Sequence, residues 1–380
     1  MYNRRQMADK TILSEMEAGV YIMRRKQPYY DAGREARYPH ADDALERMYA
    51  EDGFAAGWAP HQKPVPAYFF DNHIHYGGPK DATAPERLIS ALETWEELGA
   101  LRALVIFNVC GDKKDGAAPA YAVPRWGDRF SVEEAKELLG TFFGAGRCFW
   151  SAWLDHNEPN PGLVHAAADA GFHGIKLHNA PVIEANAPHD VWLSDQWRET
   201  FKAIGERKLP VLFHVTQRLP GSAYTGGGRN TYWTAGWDNG AAYGNEDLLQ
   251  SFLTCCRRCP DVDFIGAHQL HIGWERLDEL FTGLPNLYVD TTVGCTLRLY
   301  DDFYPHDKEY LRDVFIKWAD RILFGTDSFW GDGARDQKPG AANLARHMRF
   351  ITSLDLPGGA LDKICRSNME RLYRIPPMKK

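Results

Sequence analysis

The segment Asp71-Asn72-His73-Ile74-His75 places two imidazoles one residue apart behind an apolar run. On an extended strand, residues i and i+2 point to the same side, so His73 and His75 can offer both rings to one ion; a helix would need i, i+4 spacing. Neutral imidazole nitrogen suits Zn²⁺, Fe²⁺ or Mn²⁺, and a carboxylate such as Asp327 suits a catalytic ion that keeps one position open. His214 would complete a four-ligand protein set for one divalent metal ion, with zinc the first expectation and manganese or iron the alternatives. Water on such an ion has its pKa lowered toward about 7, and serves as a nucleophile or yields its place to a substrate oxygen. A single strand-end histidine is as readily a hydrogen-bonded structural residue; the joint placement of several favours the metal.

The elements that must position these residues are legible from residue 67 onward. Short apolar runs alternate with longer amphipathic stretches, the pattern of repeated β-α units around a parallel sheet. Eight runs are expected as strands, at 67–71, 102–108, 147–154, 174–177, 210–215, 263–267, 286–290 and 321–325. Helices are expected after them near 85–98, 131–143, 161–170, 194–208, 246–259, 275–282, 307–319 and 340–352, with a last helix near 360–374. Eight strand-helix units over about 250 residues predict an α/β fold of the (β/α)8 TIM-barrel type. In such a barrel the C-terminal strand ends and the loops after them form the active-site mouth. His73 and His75, then Lys176 and His178, then His214, His268 and Asp327 all fall at such ends.

Residues 1–66 read differently and are expected to form an N-terminal helical extension to a catalytic domain over 67–380. They hold a polar helical stretch near 8–27, a short helix near 42–51 and the breaker run Ala59-Pro60-His61-Gln62-Lys63-Pro64. The extension and its aromatic content suggest a homodimer. A net charge of −7, from 44 basic and 51 acidic residues and without a block of like charges, excludes a nucleic-acid tail. No stretch approaches the roughly 20 apolar residues of a membrane span. Seven scattered cysteines and no apolar leader near Asp9, Glu15 and Glu17 describe a reduced, cytoplasmic protein.

Two features carry less weight. Cys256-x-x-Cys259 lacks a second pair at zinc-finger spacing and reads as small apolar packing. Gly226-Gly227-Gly228 has no following Lys-Ser/Thr and so is no phosphate loop, but it lies in a long connection from about Thr216 to Asn245 that carries Arg218, Arg229 and Trp233. Connections beyond about 12–15 residues are commonly lids. Here the arginines would pair with a substrate carboxylate and Trp233 would wall a ring, or the segment would pack on the extension.

Taken together, Asp71-Asn72-His73-Ile74-His75, Gly174-Ile175-Lys176-Leu177-His178, Val211-Leu212-Phe213-His214, Gly266-Ala267-His268, the run from Arg321 to Asp327, and Asn368-Met369-Glu370-Arg371-Leu372-Tyr373 resemble the amidohydrolase superfamily. The resemblance is narrower to its amidohydrolase-2 branch, which includes aminocarboxymuconate-semialdehyde decarboxylase. It implies that His73, His75, His214 and Asp327 hold the metal and that His268 is the general acid/base. Binuclear relatives use a carboxylated strand-four lysine; the mononuclear branch implies one metal here, with Lys176 binding a substrate anion or sitting in a buried ion pair, and His178 of the same standing. The sequence departs from the pattern at His268-Gln269-Leu270-His271, where many relatives have a glycine, so His271 is a second candidate for substrate contact.

One site then serves two chemistries. The first is hydrolysis of a small carbonyl substrate, such as a lactone or amide, by metal-activated water, with His268 or Asp327 managing the proton. The alternative is non-oxidative decarboxylation of an aromatic or unsaturated acid, a carboxy-lyase reaction in which a protonated group returns a proton to carbon. A carboxylate-bearing small molecule is the expected partner in either case.

Overall fold

A computed structural model describes residues 66–77, 82–110, 129–140, 146–216, 243–272, 274–292, 307–330 and 341–378. The expected extension, apart from its last residue, lies outside them, as do Arg218, Arg229 and Trp233. Ten strands form one parallel sheet: β1 (Phe69–Tyr76), β2 (Ala100–Cys110), β3 (Phe130–Ser131), β4 (Cys148–Trp153), β5 (Gly174–His178), β6 (Val211–His214), β7 (Phe264–Gly266), β8 (Leu287–Asp290), β9 (Ile322–Leu323) and β10 (Ser328–Trp330). Their order is β10-β1-β2-β4-β5-β6-β7-β8-β9, with the short β3 paired beside β2.

The two outer members of that order are halves of one segment. β9 pairs with β8, β10 pairs with β1, and between them the Asn72 N–H donates to the Phe324 carbonyl at 3.0 Å. The sheet therefore curls into the TIM barrel, with the expected eighth strand split in two. β1, β2 and β4 to β9 start within two residues of the eight expected runs, while β3 and β10 match none of them; β1 also runs on through His73 and His75 instead of ending before them. The extra length follows from continuous burial: every residue from Phe69 to Tyr76 is covered on both faces, as parallel strands require.

Local signals explain the helices around the barrel. In α1 (Pro161–Asp169), Asn160 caps the Leu163 amide and proline takes the first turn, where its missing N–H costs nothing. In α2 (Asp195–Arg207) the Ser194 hydroxyl accepts from the Trp197 amide, Asp195 sits in the first turn, Arg207 in the last, and Lys208 closes the end in a left-handed conformation. The expected final helix is broken into α3 (Gly358–Asp362), a π turn at Lys363–Ser367 and α4 (Asn368–Leu372). No helix among the described residues is long and apolar enough to cross a membrane.

Candidate metal centre

The geometry at the mouth begins with an irregularity in β1. Asp71 pairs with Ala103 and Ile74 with Val105, so three steps on β1 match two on β2. Such a bulge re-aims the side chains beside it. His73 and His75 converge, their Nε2 atoms 3.1 Å apart. Asp327 joins them, its Oδ1 3.2 Å from His73 Nε2 and 3.4 Å from His75 Nε2. The three donor atoms form one compact group with the spacing a small cation bridges.

Asp327 reaches this place because the split strand turns there. Its φ is +56°, a left-handed conformation that costs a non-glycine residue about 1–2 kcal/mol. Asp71 holds the turn from beneath, accepting from the Thr326 amide at 3.1 Å, the Thr326 hydroxyl at 2.7 Å and Trp95 Nε1 at 3.0 Å. A Cβ at Gly325 would lie 3.1 Å from both His73 Cβ and Thr292 Cγ2, so a side chain there would crowd His73 unless these neighbours gave way by a few tenths of an ångström.

A second group lies alongside. His214, His268 and His271 bring one nitrogen each within 4.8 Å of one another. His268 Nε2 is 3.0 Å from His214 Nδ1 and 3.8 Å from Asp327 Oδ2, so Asp327 stands between the two groups. His268 to His271 run through a left-handed turn, with φ of 57°, 52°, 57° and 51°. Four such non-glycine residues in succession are rare and store strain that the surroundings must offset. The Gln269 amide does so by donating to the carbonyls of Asp290 at 2.6 Å and Thr292 at 2.9 Å, and Leu270 folds over Gly266, where a Cβ would come within 2.5 Å of it.

Aromatic packing fixes the rings. His75 stacks on Phe329, with centroids 5.1 Å apart, and meets Trp153 edge-on at 5.6 Å. His178 lies between Trp153 and His214, at 5.3 and 4.0 Å, while its Nδ1 accepts from the Ala180 amide. Lys176 is fully buried, and its Nζ is 3.0 Å from His73 Nε2.

Burial lowers the pKa of His73, His75 and His268 well below the usual imidazole value, with Lys176 adding to the effect at His73 and His75, and His214 and His271 adding to it at His268. All three rings are thus neutral at pH 7, the form that ligates a metal. Burial also pulls Lys176 down, opposed by the charges of Asp327 and Asp290, and pushes the Asp290 carboxyl up. Two neutral imidazoles and a carboxylate on one side, with a further imidazole cluster on the other, fit a divalent ion with N/O preference.

Of the predicted site residues, His73, His75 and Asp327 come together, with Lys176 against them; His214, His268 and His271 form the adjoining group instead of His214 completing the first. His178 backs His214. Sequence reasoning missed Asp290 and Thr292, which bind the histidines from behind, and Gln269, which ties the His268–His271 turn to the carbonyls of Asp290 and Thr292. The signal for Asp290 was available, because a carboxylate ends an otherwise apolar strand run.

A parallel barrel with histidines and an aspartate converging at its C-terminal mouth defines a class of barrel built for metal-dependent chemistry. The chain belongs to the Amidohydrolase family, whose amidohydrolase-2 profile matches residues 70–375. No curated protein matches the chain in sequence. Among solved structures, dihydroorotase from Campylobacter jejuni is 15% identical, with 85% of this chain and 87% of that one covered at a TM-score of 0.53. The 5-carboxyvanillate decarboxylase from Sphingomonas paucimobilis is 11% identical, with 82% and 100% covered and a TM-score of 0.48. The 2,6-dihydroxybenzoate decarboxylase from Rhizobium is 14% identical, with 80% and 99% covered and a TM-score of 0.44. Hydrolases and decarboxylases thus both occur among the structural neighbours.

Proposed function

We propose that the chain is a metal-dependent hydrolase acting on a small carbonyl substrate, a lactone, an amide or a related compound that carries a carboxylate. The observation behind this reading is the convergence of His73 Nε2, His75 Nε2 and Asp327 Oδ1 within 3.1–3.4 Å of one another at the barrel mouth. These residues would hold one divalent ion, zinc by ligand type, with manganese or iron as alternatives. His214, grouped with His268 and His271 at the end of β6 in the same mouth, is proposed to reach the ion as a fourth ligand. When bound, the ion supplies Lewis acidity and lowers the pKa of water toward about 7.

The protein's own residues manage the rest. His268, neutral at Nε2 and facing Asp327 Oδ2 across 3.8 Å, takes a proton from attacking water and returns it to the leaving group. Lys176 contributes a buried cation beside the carboxylates of Asp327 and Asp290, which supports its ion-pair role more than direct substrate binding. Arg218, Arg229 and Trp233, which lie outside the described residues, are proposed to engage the substrate's carboxylate and body, and His178 and His271 are proposed as further substrate contacts. Cys148, Cys255, Cys256, Cys259 and Cys365 are free thiols, all but Cys259 buried, which supports a reducing, cytoplasmic setting.

Purified protein loaded with Zn²⁺ or Mn²⁺ and offered lactone and amide panels in ¹⁸O-water should form product carrying one labelled oxygen. Release of carbon dioxide from aromatic acids without label incorporation would overturn hydrolysis in favour of the carboxy-lyase reading. His73→Ala should lose both metal and turnover, whereas His268→Ala should keep the metal and lose turnover; full turnover in His268→Ala removes the acid/base assignment.

A further inference from the structure

The carboxylate of Asp290 touches both histidine groups from behind. Asp290 ends β8 and is fully buried. Its Oδ2 lies 2.7 Å from His73 Nδ1. Its Oδ1 accepts from the His268 amide at 2.7 Å, the Thr292 amide at 3.2 Å and the Thr292 hydroxyl at 2.6 Å. The same hydroxyl oxygen is 2.7 Å from His268 Nδ1.

Proton counting assigns each bond a direction. In its ionised form Asp290 only accepts, so the hydrogen between Asp290 and His73 then sits on Nδ1 and leaves the Nε2 lone pair toward His75 and Asp327. The Thr292 hydroxyl has one proton. Without it on the 2.6 Å line to Asp290, two oxygen lone pairs would face each other, so the proton lies there. Towards His268 the hydroxyl must then accept. His268 is thereby held as the Nδ1–H tautomer, with its Nε2 lone pair toward His214 and Asp327.

We propose that Asp290 is a positioning residue that sets the tautomers of His73 and His268 together, directly at one and through Thr292 at the other. Its importance for catalysis rests on the metal and acid/base reading above, but the tautomers themselves do not. One carboxylate ensures that both rings present an unprotonated nitrogen to the mouth, which a metal ligand and a general base both need.

The test uses the full chain stripped of metal and labelled with ¹⁵N-histidine, read by long-range ¹H–¹⁵N correlation. His73 and His268 should both show the Nδ1–H pattern. In Asp290→Asn the three donors at Oδ1 hold the amide oxygen in that place, so the NH₂ faces His73 and should drive it to the Nε2–H tautomer. Zn²⁺ affinity, measured by competition with a chromophoric chelator, should then fall by about 10–100-fold. Thr292→Val, nearly isosteric, should release the tautomer of His268 alone, leave His73 as Nδ1–H and hold Zn²⁺ affinity within about twofold of the parent on the same scale; it carries the test if Asp290→Asn does not fold. An Nε2–H tautomer in the parent protein, an unchanged His73 in folded Asp290→Asn, or an unchanged His268 in Thr292→Val overturns the proposal. Correct tautomers with no Zn²⁺ binding by the parent would sink the metal reading and leave the positioning role standing.

Discussion

The two ends of the barrel both bury polar groups, and they do so in opposite ways. At the N-terminal end Glu370 accepts from Arg102 at 3.0 Å, from Arg366 at 3.1 Å and from the Tyr68 hydroxyl, while Arg366 makes a two-pronged pair with Asp362 at 2.6 and 2.7 Å. The guanidinium of Arg102 also lies over the rings of Tyr68 and Phe149. Unlike charges alternate there, each carboxylate against a guanidinium. At the mouth, groups of the same kind face each other: His73 against His75, and His214 against His268. Left-handed backbone at His268–His271 and at Asp327 accompanies them. A matched buried network at one end serves the fold; convergent lone pairs held by strained backbone at the other mark a place kept for a ligand.

The sharpest way to break that contrast is a pair of carboxylate deletions. Asp327→Ala should lower metal-dependent kcat/KM by about a thousandfold or more, the scale of several kcal/mol of transition-state charge stabilisation. Its melting temperature should change little, because the carboxylate leaves the mouth without stranding a buried cation as Glu370 would, while the left-handed backbone at 327 keeps its cost with alanine. Glu370→Ala should do the reverse. It strands Arg102 without its carboxylate and should cost about 3–5 kcal/mol in urea unfolding, with metal content per folded molecule unchanged. If the two variants lose stability equally, the distinction between the ends fails.

A smaller effect concerns acid. His173, which precedes β5 at the same end as Glu370, has its pKa lowered to about 4 by burial and packs edge-on to Phe149 at 5.1 Å. The folded state therefore binds fewer protons here than the unfolded chain between pH 6.5 and 4, and this contribution to stability is lost as pH falls through that window. His173→Phe should flatten the decline of the melting temperature over that range and change little at pH 8. A parallel decline in the variant would place the acid sensitivity elsewhere.

Much of the scaffold could be read from the chain because buried parallel strands are continuous apolar runs and the helices carry ordinary caps, as at Ser194 and Asn160. The histidines and Asp327 were visible for a related reason, since ionisable residues at the ends of such runs have no packing role to explain them. The grouping was not visible. Whether His214 faces His75 or His268 depends on a bulge in β1 and a left-handed turn after β7, neither of which has a glycine signature in this sequence. Asp290 carried the same strand-end signal, but only the curl of the sheet brings it behind His73.

The split of the eighth strand has a consequence for how such a barrel changes over time. At the seam, the Phe324 amide donates to Ile364, Gly325 to the Thr291 hydroxyl and Thr326 to Asp71, so none of these three relies on a strand neighbour's ladder. The hoop is fastened there by a clasp of side chains and a distant turn. Sequence drift at Asp327 can therefore change the lining of the mouth while β9 and β10, each tied to its own neighbour, keep the ring shut.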